Sequence, residues 1–298
     1  MHGNSAHHIF FSDFSVRNEQ STKPQIKDGT STTKVKYAVV SGANKGIGTE
    51  IVRQLASNGV KVVLTSRDEK RGLHALETLK DLSHLVLFHH LHVADPASVD
   101  SLANFIKSEF GKLHILINNA GIGGLVIKDN DLVPQVLLKS RELSNDVIEK
   151  AGIIQTFELA EECLQINYYG AKRTSEALLP LLQLSESPRI VNVSSSLGKL
   201  KRVSNEWAKG ILGDAENLTE ERVDEVLNEF LKDIKEGCLE RKGWPKVLGA
   251  YIISKAAMNA YTKLLLKTEE GAASPVKLAL LSNASSGLFY SQNEVSSF

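Results

Sequence analysis

A glycine-rich stretch sets the strongest limit on what this chain can fold into. The sequence predicts a strand over Val35–Val40, a turn that contains Gly42, Gly46 and Gly48, and a helix over Ile47–Leu55. Glycine permits a sharp turn and a close approach of the backbone to a ligand. The helix directs its free N–H groups and the positive end of its dipole at the turn, which favours a pyrophosphate. The stretch is a variant of the dinucleotide-binding fingerprint in its strand–turn–helix context, although such glycines alone also fit a loop without a ligand.

The rest of the chain alternates between apolar strand patterns and amphipathic helix patterns. This alternation predicts parallel strands joined by right-handed crossovers. We therefore expect an α/β fold with a doubly wound, Rossmann-like parallel sheet, whose ligand crevice lies at the carboxyl ends of the strands. Further strands are expected at 60–65, 85–93, 113–117 and 188–194, and helices at 69–82, 96–110, through Asn167 to 184, and at 247–266.

Composition narrows the class of protein. The 298 residues hold 35 basic and 35 acidic side chains, and this balance argues against a nucleic-acid binder. Cys163 and Cys238 form no metal-binding or redox spacing, so we expect free thiols, no metal and a reducing compartment such as the cytoplasm. No apolar run is long enough to suggest a membrane span. Residues 1–34 are polar and predict a disordered tail, and 35–298 predict a single domain.

Two features depart from a regular alternation. Residues 214–240 predict a helical insertion with a start signal at Thr219, which Gly243-Trp244-Pro245 ends. After the helix at 247–266, a sixth strand is expected, but residues 268–275 lead directly to another helical pattern over Val276–Leu281. Only Gly287–Tyr290 remains for a short final strand.

Tyr251 and Lys255 carry the clearest chemical pattern. Residues four apart share one face of a helix. A phenol is a poor acid at neutral pH, and a neighbouring ammonium lowers its pKa and brings it closer to the range of a general acid. A serine hydroxyl at the end of the fifth strand could then hold a carbonyl oxygen. Alone, the pair also fits an ordinary helix surface.

In combination, these motifs resemble the short-chain dehydrogenase/reductase family. The matching pieces occur in the family's order over residues 35–267: Gly42–Gly48, Asn118–Gly121, Asn167, Asn192–Ser195 and Tyr251-x-x-x-Lys255. The insertion resembles the carbonyl-reductase-like, mostly monomeric plant branch that acts on menthone, isopiperitenone and salutaridine. The resemblance implies a monomer whose insertion covers the helix face that other members use to form tetramers.

The resemblance also implies roles for individual residues. Tyr251 would be the proton donor, Lys255 would lower its pKa and hold the nicotinamide ribose, Ser195 would orient the carbonyl, and Asn167 would anchor a water-based proton relay. Tyrosine at 251 favours ketone reduction, because a relative that reduces a carbon–carbon double bond has glutamate there. The implied cofactor-binding residues are Gly42, Asn44, Lys45, Gly46, Ile47, Gly48, Arg67, Val93, Asn118 and Asn119, together with Tyr251 and Lys255.

The choice of dinucleotide follows from charge. An NAD enzyme usually offers a carboxylate after the second strand, whereas this chain has Ser66-Arg67 there and Lys45 in the glycine turn. Two cations suit a 2′-phosphate, so we expect NADP(H). A solvated surface arginine remains the alternative for Arg67. The family's acid near the end of the third strand is replaced by His92, which accepts a hydrogen bond only in its neutral form.

Two functional hypotheses follow. The first is NADPH-dependent reduction of a ketone on a small hydrophobic, terpenoid-like or alkaloid-like molecule. The second is a catalytically impaired variant that binds dinucleotide weakly or acts only through protein contacts. The second arises because family members carry about 40 residues, with a strand and a Pro-Gly turn on the nicotinamide side, that this chain lacks. The chain thus looks like a splice or gene-model variant, or a natural deletion.

Overall fold

The computed structural model describes residues 35–132, 136, 144–271, 289–291 and 294–296. The expected tail, the expected helix over Val276–Leu281 and the first residues of the expected final strand lie outside these ranges. Across the described residues, no helix combines the length and the apolar composition that crossing a bilayer requires.

The centre of the fold is a parallel sheet. Its strands are β1 (Tyr37–Val40), β2 (Lys61–Ser66), β3 (Val86–His90), β4 (Ile115–Asn118) and β5 (Arg189–Asn192), in the spatial order β3-β2-β1-β4-β5. All four neighbouring pairs are parallel. The order reverses at β1, which places the glycine-rich turn at the point where an open α/β sheet binds its ligand. The expected doubly wound architecture is confirmed.

Helices cover both faces of the sheet. Val39 and Val63 pack on one face with Leu102 and Leu178, and Val40 and Leu64 lie in a separate cluster on the other face. Successive strand residues point to opposite faces, so strands buried on both sides read as continuous apolar runs. The helices are α1 (Gly46–Ser57), α2 (Glu69–Glu77), α3 (Pro96–Phe110), α4 (Asn145–Lys150), α5 (Phe157–Leu164), α6 (Gly170–Leu182), α7 (Glu206–Gly213), α8 (Glu220–Lys235) and α9 (Gly249–Gly271).

The helices of the insertion pack against α9. Thr219 caps α8 as expected, and α8 buries Val223, Val226, Leu227 and Phe230 in the cluster that contains α9. Helix α7 was not predicted, because its eight residues show only two helical turns of pattern, including Gly210. Asn205 caps it through a hydrogen bond from the N–H of Ala208 (2.8 Å).

The Gly-Trp-Pro segment is fixed by a buried carboxylate. Asp233 has no exposed side-chain surface and accepts hydrogen bonds from Lys242 Nζ (2.6 Å) and Trp244 Nε1 (2.7 Å). Burial acts to raise the pKa of Asp233, but these hydrogen bonds outweigh it and hold the pKa below its usual range. The indole ring packs on Phe230, with 5.2 Å between the ring centroids. The segment that ends the insertion is therefore tied back onto α8.

Three expectations need correction. The helix expected through Asn167 is interrupted by a π-helical turn, Gln165–Tyr169, between α5 and α6. The third strand ends at His90 rather than Val93, because the chain then turns toward the Asp95 cap of α3. The expected final strand is partly present as β6 (Phe289–Ser291), but it pairs antiparallel with β7 (Glu294–Ser296) in a separate hairpin. Among the described residues the main sheet ends at β5.

Candidate active site

The glycine turn lies between β1 and α1 and is held by the end of β4. Gly42 and Gly46 have φ values of 62° and 58°, in the left-handed region that other residues rarely adopt. Asn119 donates from Nδ2 to the carbonyl oxygens of Ser41 (2.9 Å) and Gly42 (3.0 Å). A Cβ at Gly48 would lie 2.6 Å from Asn119 Nδ2. Gly48 therefore leaves room for the side chain that fixes the turn.

The start of α1 fits an anionic group. Asp68, Asp95 and Thr219 cap α2, α3 and α8, whereas among the described residues Lys45 makes no side-chain cap of α1. The first turn of α1 holds no acidic side chain. A Cβ placed at Gly46 would have no described heavy atom within 4 Å. Free N–H groups and open space above the turn suit the pyrophosphate of a dinucleotide.

Tyr251 and Lys255 lie in the first turns of α9, close to the carboxyl end of β5. Their exposed fractions are 8% and 3%. Lys255 Nζ donates to the carbonyl oxygen of Val193 (2.8 Å) and lies 5.9 Å from the centroid of the Tyr251 ring. The expected pairing on one helix face is present, although α9 is buried here rather than exposed.

Ser195 completes this group. It is 1% exposed, and its Oγ accepts a hydrogen bond from the N–H of Leu197 (3.1 Å), which caps the short 3₁₀ turn Ser196–Gly198. It also hydrogen-bonds to the Tyr251 hydroxyl. A Cβ at Gly198 would lie 2.8 Å from the backbone of Lys255. The turn after β5 therefore lies directly against the helix that carries Tyr251 and Lys255.

The protonation properties of the pair differ from the expectation. Burial raises the pKa of Tyr251 to about 12, and the hydrogen bond from Ser195 only partly opposes this. Burial lowers the pKa of Lys255 to about 8, and among the residues that the structure describes the ammonium has a carbonyl partner but no carboxylate. Burial therefore sets the direction of the Tyr251 pKa in this structure, and the role expected of Lys255 stays a prediction. Both groups are pushed toward their neutral forms.

Asn167 lies in the π turn and is held on several sides. Its Nδ2 donates to Ile122 O (3.0 Å) and Ser254 Oγ (3.0 Å) and lies 3.3 Å from Cys163 Sγ, and its Oδ1 accepts from Ile122 N (2.8 Å). A Cβ at Gly121 would lie 3.3 Å from Asn167 Oδ1 and 3.5 Å from Lys255 Nζ. Asn167 therefore approaches Lys255 across Gly121. A π bulge is frequent at functional positions because it re-aims a side chain.

Two expected cofactor-binding residues have structural contacts. Asn118 is 2% exposed and donates to Ser175 Oγ (2.9 Å) and Asn192 Oδ1 (2.8 Å), which joins β4 to α6 and β5. Val93 is 6% exposed, and a Cβ at Gly170 would lie 2.6 Å from its Cγ2. Val93 thus packs on the first turn of α6, just after the π turn.

The charged residues expected to determine the preference for NADP(H) over NAD(H) are exposed. Lys45 lies at the start of α1, and the side chain of Arg67 is 57% exposed at the end of β2. Arg67 forms an ion pair with Glu162 on α5, with 3.1 Å between Nη1 and Oε1. The half-buried His92 donates its backbone N–H to Ser98 Oγ (2.9 Å). Asn44 and Ile47 are half-buried in the glycine turn and the first turn of α1.

Four residues that contact the site were assigned no role in it from the sequence: Cys163, Ser254, Gly121 and Gly198. Gly121 lies inside a recognised motif and Gly198 lies beside one, so their positions in the sequence could have indicated that they belong to the site. Cys163 and Ser254 contact Asn167 from two helices separated by 91 positions in the chain. Nothing in the local sequence indicates that contact. The Cys163 thiol is fully buried, and burial raises its pKa to about 12.

Comparisons with known proteins show which family the chain resembles. A family model described as short chain dehydrogenase matches residues 36–206. The chain is 53% identical over 296 positions to a (+)-neomenthol dehydrogenase of Arabidopsis thaliana, covering 88% of this chain and 98% of that protein. It is 48% identical over 303 positions to a salutaridine reductase of Papaver bracteatum, covering 89% of this chain and 97% of that protein.

A solved structure and the alignment length add two further findings. The structure of a menthone neomenthol reductase from Mentha piperita superposes with a TM-score of 0.75 and 45% identity, covering 85% of this chain and 97% of that one. The Arabidopsis alignment spans 296 positions, but 88% of the 298 residues here is about 262. About 34 positions of that relative therefore have no counterpart in this chain.

Proposed function

The chain belongs to the short chain dehydrogenase family and is an oxidoreductase, and from this premise we propose that it reduces a ketone on a small hydrophobic molecule with NADPH. The observation that carries the proposal is the meeting of the buried side chains of Tyr251, Ser195 and Lys255 at the carboxyl end of β5. A weakly acidic hydroxyl, a second hydroxyl and a lysine are the groups that a carbonyl needs as it gains a proton. Burial strengthens each of their electrostatic interactions.

In this proposal each side chain has a separate task. Ser195 and Tyr251 bind the carbonyl oxygen, and the Tyr251 O–H donates the proton. The bound dinucleotide would supply the hydride. Lys255 in its protonated form stabilises the negative charge that the phenol oxygen acquires. Asn167, fixed through Ile122 and Ser254, stands across Gly121 from Lys255 and positions a proton path to that amine.

The relatives suggest the class of substrate. Proteins similar to this chain are named for neomenthol, for menthone and for salutaridine. We propose a terpenoid-like or alkaloid-like ketone on that basis. The proposal is consistent with the largely apolar surroundings of the site, where Ile122, Leu125 and Leu132 pack on the cluster that contains Tyr251.

We propose NADP(H) as the dinucleotide. Arg67 follows β2, where a carboxylate would favour the ribose hydroxyl of NAD, and Lys45 precedes α1. A guanidinium binds a phosphate through several N–H groups in one plane, and a lysine adds a point charge. The glycine turn with its uncapped helix would hold the pyrophosphate.

The first test compares the thermal unfolding of the full chain with NADPH, with NADH and without a dinucleotide. Binding at a hundred times Kd stabilises the folded state by about 2.7 kcal/mol. We expect a larger rise in the melting temperature with NADPH than with NADH, followed by NADPH oxidation when cyclic ketones are added. Oxidation of NADPH with none of a broad panel of ketones, despite tight binding, would contradict the proposed reaction.

A second candidate function is favoured by the length of the alignment. About 34 positions of the Arabidopsis relative lack a counterpart, which supports the inference that a segment near the nicotinamide side is missing. The chain would then bind dinucleotide through the glycine turn without completing the reaction. NADPH binding without turnover would support this second function over the first, provided that turnover returns when the corresponding segment of the relative is inserted after Lys267.

We further propose that the protein is a monomer in the cytoplasm. Helices α7 and α8 pack on α9, and α8 also packs on α5, so the insertion covers the face on which helices of two subunits would otherwise meet. Cys163 and Cys238 are free and buried, which suits a reducing compartment. Light scattering should give the mass of one chain, and a tetramer would contradict the proposal.

A further inference from the structure

The ion pair between Arg67 and Glu162 joins the turn after β2 to helix α5. Arg67 directly follows β2, and Glu162 lies on α5, which leads into the π turn with Asn167. The pair has 3.1 Å between Nη1 and Oε1, and the two side chains are 57% and 48% exposed. It therefore links the end of β2 to the helix that continues into the catalytic π turn.

The backbone of Arg67 is fixed, so only its side chain is free to change partner. His90 Nε2 lies 3.0 Å from the carbonyl oxygen of Arg67, a hydrogen bond that the Nε2–H tautomer donates. Ser66 Oγ donates to Asp68 O (2.9 Å) and accepts from Asp68 N (3.2 Å). The turn after β2 is thus held on both sides of Arg67.

Glu162 is also held in place by its helix. Thr156 caps α5 through a hydrogen bond from the N–H of Leu159, and the neighbouring Cys163 is fully buried against Ile122 and Ser254. The carboxylate cannot leave Arg67 by a shift of α5 without disturbing the contacts of Asn167. It can leave only by a change of its own rotamer.

We propose that Glu162 competes with the 2′-phosphate of NADP(H) for Arg67, and so limits how strongly the site prefers NADP(H) over NAD(H). This inference rests on the proposed use of Arg67 as the phosphate-binding residue. The phosphate carries close to two negative charges, so a carboxylate that remained beside Arg67 would both occupy Nη1 and repel the phosphate. The affinity for a dinucleotide without that phosphate should not depend on Glu162.

The expected effect is moderate, because an ion pair between half-exposed groups contributes at most about 1 kcal/mol, which is about fivefold in an equilibrium constant. The test therefore needs a matched control. Glu161 is the preceding residue on α5, is exposed, and carries the same charge. Replacing it changes the net charge of the helix by the same amount without removing the partner of Arg67.

The experiment measures binding of adenosine 2′,5′-bisphosphate and adenosine 5′-monophosphate to the full chain by calorimetry. Both probes need only the adenosine end of the crevice, so they report on Arg67 even in a chain without turnover. In the Glu162→Gln variant, we expect the bisphosphate to bind about two- to fivefold more tightly and the monophosphate to bind as in the parent. In Glu161→Gln, the ratio of the two affinities should stay close to that of the parent.

Two results would overturn the inference while leaving NADPH-dependent reduction standing. One is an unchanged ratio in Glu162→Gln, and the other is an equal change in Glu161→Gln, which would point to general charge. If neither the parent nor Glu162→Gln distinguishes the bisphosphate from the monophosphate, both the NADP(H) preference and this inference fail. Turnover of ketone with NADPH is read separately and decides only the proposed reaction.

Discussion

The two ends of the crevice hold their functional groups in opposite environments. At the end that we propose to be catalytic, Tyr251 and Lys255 are 8% and 3% exposed, whereas at the end proposed for the adenosine group the side chain of Arg67 is 57% exposed. Charges in a dry environment interact strongly and shift each other's pKa, and exposed charges are screened by water and salt. The same kind of substitution should therefore have large effects at one end and small effects at the other.

The difference also concerns how each group is held. Lys255 and Asn167 are positioned by backbone carbonyls, by hydroxyls and by glycines whose missing Cβ leaves them room. Arg67 has a fixed backbone but a side chain with a single ion-pair partner among the contacts that the structure gives it. A preorganised site suits chemistry at one fixed atom. An adaptable arginine suits a group that arrives and leaves with the cofactor.

The largest effect is expected from Tyr251→Phe at the buried end. Loss of the hydroxyl removes the proposed proton donor and should lower kcat for ketone reduction by about 10²- to 10⁴-fold, with little change in NADPH affinity. Steady-state kinetics and calorimetry measure the two quantities. Tyr37→Phe is the matched control, because Tyr37 is half-buried and stacks on Phe110 away from the site. A Tyr251→Phe variant with near-parental kcat would remove the main support of the proposed mechanism.

The next effect is a dependence of stability on pH that comes from the buried lysine. Burial lowers the pKa of Lys255 to about 8 from 10.5, so between these values the unfolded chain binds the proton while the folded chain has released it. The free energy of unfolding should therefore rise with pH across this window, by up to about 3 kcal/mol. Below about pH 8 both states are protonated and this contribution is constant.

The measurement is urea unfolding of the parent and of Lys255→Met between pH 7 and about pH 10, and the difference between the two isolates the lysine. The range stops there because the pKa of Tyr251 is raised from 10 to about 12, so that residue lowers stability as the pH rises above 10. A difference that does not vary with pH would mean that Lys255 keeps its proton in the folded state.

A third effect tests the close packing of the catalytic end. A Cβ at Gly198 would lie 2.8 Å from the carbonyl carbon of Lys255, so Gly198→Ala must displace α9 or the turn after β5. We expect a loss of about 1–3 kcal/mol in the free energy of unfolding, with a fall in kcat. Gly210→Ala, on α7 and with no described atom within 4 Å, should be neutral or gain up to about 1 kcal/mol. Equal effects of the two substitutions would contradict the packing argument.

The sequence predicted the regular half of the molecule well for a physical reason. Strands buried on both faces leave continuous apolar runs, and caps such as Asp95 and Thr219 leave a local signal at the start of a helix. The glycine turn and the Tyr251–Lys255 pair are local patterns of the same kind. Each could be found because its meaning depends on neighbours within a few positions.

The rest depended on contacts between distant parts of the chain. The π turn at Asn167 and its contact with Ser254 arise from the packing of α5 on α9, which no local pattern encodes. The shifted pKa of Tyr251 follows from its burial in the folded chain, whereas the local sequence suggested the opposite direction. Glu162, the partner of Arg67, lies 95 positions away in the chain. The sequence shows that its side chain is acidic but does not show that it lies beside Arg67.

The smallest effect is expected at the exposed end. Its dependence on salt concentration distinguishes it from the effects at the buried end. Arg67→Gln removes one phosphate partner and should lower the preference for NADPH over NADH by about two- to fivefold at low ionic strength. The preference of the parent should decrease as salt rises toward 1 M, where screening acts over about 3 Å, while that of Arg67→Gln should change less. Activity at saturating NADPH should stay within a factor of about two, because the substitution leaves the buried groups untouched. A large loss of kcat in Arg67→Gln would mean that the two ends are coupled through α5, and the contrast drawn between them would fail.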